Sequence, residues 1–173
     1  MIRSKILWMV LPLCLMAMFS GVEGQGNEAE RNTMKGLAGV GILVGDLPEG
    51  MVQAGLTSEM VRSDVELQLK KAGIQVYTDE ERKKALGRPT VLVVIEWAVW
   101  PNKGLFAASI DVELCQDVVV MSNRQRVWNT TWAVGAMYGG PLADMEPVRA
   151  KVRELIDHLA KDYLAVNPKE ATS

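Results

Sequence analysis

Apolar residues change their period along this chain, and each change marks an element. "GLAGVGILVGDL" is a short apolar run punctuated by glycines, which predicts a buried strand from about Val40 to Leu47. "PEGMVQAGLTSE" reads as a loop that ends on Thr57, a good helix N-cap, with Glu59 in the first turn where the helix dipole favours an acid. Val61, Val65, Leu69 and Ala72 then recur at helical spacing, Lys70 and Lys71 fall in the last turn, and Gly73 stands where a left-handed C-cap is wanted. "IQVY", from Ile74 to Tyr77, is a brief strand. Thr78 and Glu81 make a capping box for a second helix from Asp79 to about Leu86, stopped by Gly87 and Pro89. In this stretch Asp64, Glu66, Asp79, Glu80 and Glu81 read as solvated or capping carboxylates.

From Thr90 the period is two. "TVLVVIEWAVW" is a strand, and "WPNKG" is a hairpin turn in which Pro101 presets one dihedral and Gly104 accepts a positive one. The next strand puts Phe106, Ala108, Ile110, Val112, Leu114, Val118 and Val120 on one face and Ser109, Asp111, Glu113, Cys115 and Asp117 on the other. Seventeen straight strand residues would run on the order of 55 Å, so a bend or bulge is expected near Gln116. "SNRQ" turns the chain into "RVWNTTWAVG", and "MYGGPLADM" reads as a loop. The last helix begins around Pro147, carries Val148, Val152, Leu155, Ile156, Leu159 and Tyr163 as one apolar stripe, and ends at Asn167-Pro168.

These elements predict an α+β fold: a mixed sheet of about five strands with two or three helices packed on one face. The first two strands should be parallel, because a helix crosses between them, and the last three should form an antiparallel meander. The domain is expected over residues 36–167, after a flexible leader at 25–35 and before a loose tail at 168–173.

The segment at 1–24 changes the picture of where the protein works. Arg3 and Lys5 precede an apolar run from Ile6 to Phe19, and small or turn-prone residues follow, which is the layout of a secretory signal peptide cleaved after Gly24. The run is shorter than the roughly 20 residues a spanning helix needs, and Pro12 interrupts it. Cys14 lacks the small residue that precedes a lipidated cysteine. Without that segment only Cys115 remains, so no intramolecular disulfide can form and the apolar core must suffice. The 173 residues are 49% hydrophobic and 23% charged, which suits one globular unit. The formal charge of -2 and the dispersed basic residues exclude a nucleic-acid binder of the usual kind.

Chemistry is sparse. Gly36 to Gly45 do not match a dinucleotide-binding loop, because the glycines precede and punctuate the strand rather than link it to a helix. His158, the one histidine, falls at the border between the last helix's apolar stripe and water. One Cys and one His without ligand spacing support no zinc site, and no cofactor is called for. Cys115 sits among acids that would raise its thiol pKa. The weak candidates for a binding site are Asp111, Glu113 and Asp117: alternate strand residues project the same way about 7 Å apart and could pair two carboxylates or bind a hard cation, yet they also read as a solvated sheet face. Trp97, Trp100, Trp128 and Trp132 could form a stacking platform or pack between sheet and helix. Asn129-Thr130-Thr131 matches a glycosylation acceptor but falls within a strand.

The segments "GVGILVGDL", "LTSEMVRSDVELQLKKAGIQV", "NTTW" and "DYLAVNPK" resemble, in order and spacing, a family of small exported bacterial proteins, over about Gly36 to Lys169. That resemblance implies a bacterial signal sequence and a periplasmic or extracellular location, and it implies no activity. More loosely, the strand and helix leading to "AGIQV" are similar to the amino-terminal domain of the Tol-system propeller protein, a likeness of fold that fixes no function. The expectation is a non-enzymatic binding or assembly module of the cell envelope with a possible envelope protein partner and no stable membrane insertion after cleavage. The alternative is a small periplasmic hydrolase or ligand-binding protein using the acidic strand.

Overall fold

The structure is a computed structural model that describes residues 27 to 168; the expected signal peptide and the tail beyond Pro168 lie outside the described residues. Five strands form one sheet in the order β2-β1-β3-β4-β5, where β1 is Gly39–Val44, β2 Gln75–Val76, β3 Thr90–Trp100, β4 Leu105–Val119 and β5 Arg126–Pro141. β1 runs parallel to β2 and β3, and β3, β4 and β5 form an antiparallel meander, as the helical crossover and the two hairpin turns require. Gly104 closes the first hairpin at φ 63°.

Register puts Ile42, Val91, Leu114 and Trp132 in one row across four strands, and all four are buried. On that face pack the two long helices, α3 (Ser58–Ala72) and α5 (Glu146–Val166); the five-residue helices α1 (Glu28–Asn32) and α2 (Glu49–Gln53) precede α3 in the chain, and the short α4 (Asp79–Lys84) comes between α3 and α5. All six stripe residues of α5 are buried, as are Val61, Val65 and Leu69 of α3. Each such side chain contributes roughly 1.5–3 kcal/mol before the entropy of ordering it is subtracted. Thr57 caps α3 by accepting from the Met60 N–H at 3.2 Å, Gly73 ends it at φ 75°, and Thr78 and Glu81 close the capping box of α4. The aliphatic stem of Arg82 in α4 lies where a Gly41 side chain would be, so it covers β1 on the face away from Val40 and Ile42.

Several expectations need correction. The leader is built into the domain from Asn27 onward: Asn27 caps α1, Met34 is fully buried, Arg31 pairs with Asp162 at 2.9 Å, and Asn167 bonds the backbone of both Met34 and Gly36. No period marks it because one buried methionine, not an apolar stripe, holds it. The loop before Thr57 contains α2, which buries Met51 and lays Gly50 against the Trp97 ring. The loop expected after Gly135 is strand as far as Pro141, because β4 offers an unbroken row of partners down to Leu105 and these outweigh the weak strand preference of Gly139 and Gly140.

The expected irregularity falls at Leu114/Cys115, close to Gln116, but the extra residue is in β5: Leu114 pairs with Trp132 and Cys115 with Thr130, leaving Thr131 between them. Gln116 fills the gap, its amide donating to Thr131 Oγ1 at 2.8 Å and to the Thr33 carbonyl at 3.2 Å. Asp64 is neither solvated nor a cap; it is buried between α3 and α5.

Candidate functional site

With α3 and α5 on one side, the opposite face of β3, β4 and β5 carries the acidic strand residues. Its rows run Leu43–Leu92–Glu113–Ala133, then Val94–Asp111–Gly135, then Glu96–Ser109–Met137. This surface is less polar than the alternation of β4 suggests. Leu43 is 47% and Met137 60% exposed, and both acids of the first two rows are half-buried. The signal for it was present in β3, where Leu92 and Val94 are apolar in the parity opposite to Val91, Val93 and Ile95.

Each acid has a local partner. Ser109 Oγ donates to Asp111 at 2.9 Å, and the Asp111 carboxylate occupies the space that a side chain at Gly135 would need. Thr130 Oγ1 donates to Glu113 at 2.5 Å, and Cys115 Sγ lies 3.9 Å from the same carboxylate oxygen. Asp117 accepts two bonds from Arg88, at 2.8 Å from Nε and 2.6 Å from Nη2, and these hold its carboxyl below the usual aspartate range. The three acids therefore do not act as a set: Asp111 and Glu113 share one stretch of the face, whereas Asp117 is engaged by the loop before β3. Among the described residues no group of three or more His, Cys, Asp and Glu side chains is arranged to hold a metal ion.

Cys115 is buried, and its thiol pKa is raised first by that burial and then by the Glu113 charge, against a lowering bond from Thr130. The expectation of a raised pKa holds, although desolvation outranks the neighbouring charge. His158 is half-buried on α5.

The tryptophans divide. Trp132 is buried and donates from Nε1 to Asp162 at 2.9 Å. Trp97 is half-buried on the core face, its ring centroid 6.0 Å from that of Phe106. Trp100 and Trp128 remain 49% and 41% exposed, at opposite ends of the sheet, so they form no common platform.

A further surface escaped the sequence reading. Beyond the last pair with β3, Thr90 with Cys115, strands β4 and β5 continue as a two-stranded ribbon. Along it the apolar face expected to run on through Val118 and Val120 becomes progressively exposed: Val118 is half-buried and Val120 is 37% exposed. Val119, Met121, Val127 and Trp128 are exposed with it. No helix among the described residues is long and apolar enough to cross a membrane.

No protein-family model and no curated protein matches the chain. Among solved structures it is similar to two forms of the PelC dodecamer from Paraburkholderia phytofirmans. One, a point variant, is 13% identical over 81% of this chain and 98% of its own, with a TM-score of 0.41. The other is 14% identical over 83% of this chain and 96% of its own, with a TM-score of 0.39. A likeness of that degree carries neither function nor assembly to this chain.

Proposed function

We propose that this chain is an exported bacterial protein of the periplasm or extracellular space that works without catalysis, as a binding or assembly module of the cell envelope. The observation that carries this reading is the uncovered sheet face, where exposed Leu43 and Met137 stand beside carboxylates already engaged by Ser109 and Thr130. Apolar side chains at the exposed face of an otherwise well-packed domain favour a partner surface. The export layout of residues 1–24 supplies the location.

The test is site-specific photo-crosslinking in cells that express the full chain. A photoreactive residue at Met137 should trap a discrete partner, and one at Leu67, equally solvent-accessible on α3 at 50% exposure, should trap none. Equal yields at both positions, or none at either, would defeat the reading.

One observation favours a second reading, a small periplasmic hydrolase or ligand-binding protein. Asp111 has no cationic partner among the described ion pairs and lies two residues from Glu113 on the same face. Asp111→Asn and Glu113→Gln should then abolish binding or turnover of a small ligand while the fold persists. Unchanged behaviour of both variants would remove this alternative.

A further inference from the structure

The β4–β5 ribbon ends in the turn Val120 to Gln125, closed by backbone bonds from Val120 N–H to the Gln125 carbonyl at 2.8 Å and from Arg124 N–H to the Val120 carbonyl at 2.8 Å. Arg124 holds a positive φ of 60° in that turn. The ribbon from Gln116 to Val119 projects on the order of 13 Å past the end of β3. Its tip is apolar and basic at once. Val119 is 50%, Val120 37%, Met121 77%, Val127 37% and Trp128 41% exposed. Arg124 and Arg126 flank them, both exposed; Arg126 also feels the charge of Asp117. The one nearby acid on the ribbon, Asp117, already accepts both of its bonds from Arg88.

We propose that this tip docks the protein onto the surface of an anionic phospholipid bilayer, with Val119, Val120 and Met121 entering the headgroup boundary, Arg124 and Arg126 meeting lipid phosphates and Trp128 at the interface. Three features select a bilayer over a protein partner. A stable protein interface takes roughly 20–30 residues a side, which a projecting two-stranded turn does not supply. A convex apolar point enters a fluid boundary without needing a matching cavity. Exposed arginines beside aliphatic residues and an exposed tryptophan match the sign of charge and the layering of that boundary. Such contact is peripheral and agrees with the absence of a spanning helix among the described residues. The proposal rests on the envelope location given above only for where a bilayer would be met; it is independent of what binds the open sheet face.

The test uses the chain as exported from a bacterial host, in co-sedimentation with vesicles of phosphatidylglycerol and phosphatidylcholine compared with phosphatidylcholine alone. The wild type should bind the anionic vesicles at least fivefold better at low salt. Met121→Asp, and separately Arg124→Glu with Arg126→Glu, should each cut the bound fraction at least fivefold without moving the thermal midpoint. Trp100→Glu, at the opposite end of the sheet, should bind as wild type. Failure of the wild type to bind overturns the proposal. So does retention of binding by the tip variants, which would assign it to another part of the chain, or loss of binding in Trp100→Glu. Sedimentation velocity adds the last arm: a dimer that the tip variants dissociate, without any vesicle effect, would replace the bilayer with a second copy of the chain. None of these results touches the crosslinking at Met137, so the two readings fail separately.

Discussion

Arg149 of α5 grips Asp64 of α3 with two hydrogen bonds, from Nε at 2.7 Å and Nη2 at 2.9 Å, and Arg153 adds a third at 3.3 Å. A carboxylate that is 6% exposed thus bridges the two helices that cover the sheet. Removing one partner of a buried pair costs about 3–5 kcal/mol because the other charge is left uncompensated. Here the arginine side chains keep 24% and 26% exposure and can turn to water, so Asp64→Ala should cost about 2 kcal/mol. Urea denaturation of Asp64→Ala, Arg149→Met and the double variant measures it. The double variant should be more stable than the sum of the two single losses implies; strict additivity would mean the bridge is idle.

Asp117 and Arg88 supply a pH dependence whose sign follows from the depressed aspartate pKa. Unfolded aspartate titrates near about 3.9, so the pair's contribution is complete above that value and is lost as pH falls through the lower, folded pKa. Asp117→Asn removes the titrating group and keeps its shape. The wild type should exceed it modestly at pH 6, because Arg88 is 45% exposed, and the gap should shrink as pH falls below the usual aspartate range. A gap that stays constant from pH 6 to pH 2 would contradict the assignment.

Gly135 is constrained by what faces it. Its missing side chain leaves room for the Asp111 carboxylate, so Gly135→Ala forces that group to turn and give up the Ser109 bond, at about 1–3 kcal/mol. Pairing the change with Asp111→Ala should restore most of the loss in thermal midpoint. If the single and double variants melt together, the crowding is not the cause.

Cys115 should be a slow thiol. Burial lifts its pKa before Glu113 adds to the effect, and it is 2% exposed. At pH 8 its reaction with an aromatic disulfide reagent should be on the order of a hundredfold slower in the native chain than in denaturant. The native rate should still be rising above about pH 9. A fast native reaction that levels off near pH 8 would show an activated thiol and reopen nucleophilic chemistry at this position.

Elements held by local rules were legible before any coordinates. Thr57, Gly73, the Thr78–Glu81 box, the Pro101–Gly104 turn and the stripe of α5 each act within a few residues of the chain, so their spacing alone identifies them. The order of parallel and antiparallel strands followed from the lengths of the connections. Elements held by distant partners were not legible. β5 runs to Pro141 because β4 is there to pair with it, and Met34 belongs to the core because α5 and β5 close around it. The candidate site divides in the same way: alternation placed Asp111, Glu113 and Asp117 on one strand face, and only the approach of Arg88, Ser109 and Thr130 determined what each acid is free to do.

The amino-acid order by itself determined an α+β chain and a sheet of about five strands, because periodicity, caps and turns are short-range properties of the backbone. Tertiary structure decided that Asp64 is a bridge between helices, that the carboxylates of β4 accept bonds from Ser109, Thr130 and Arg88, and that the end of the β4–β5 ribbon exposes apolar side chains. Those outcomes depend on which side chains meet across large separations in sequence. Burial, ion pairing and exposure belong to that meeting, and no local pattern encodes them.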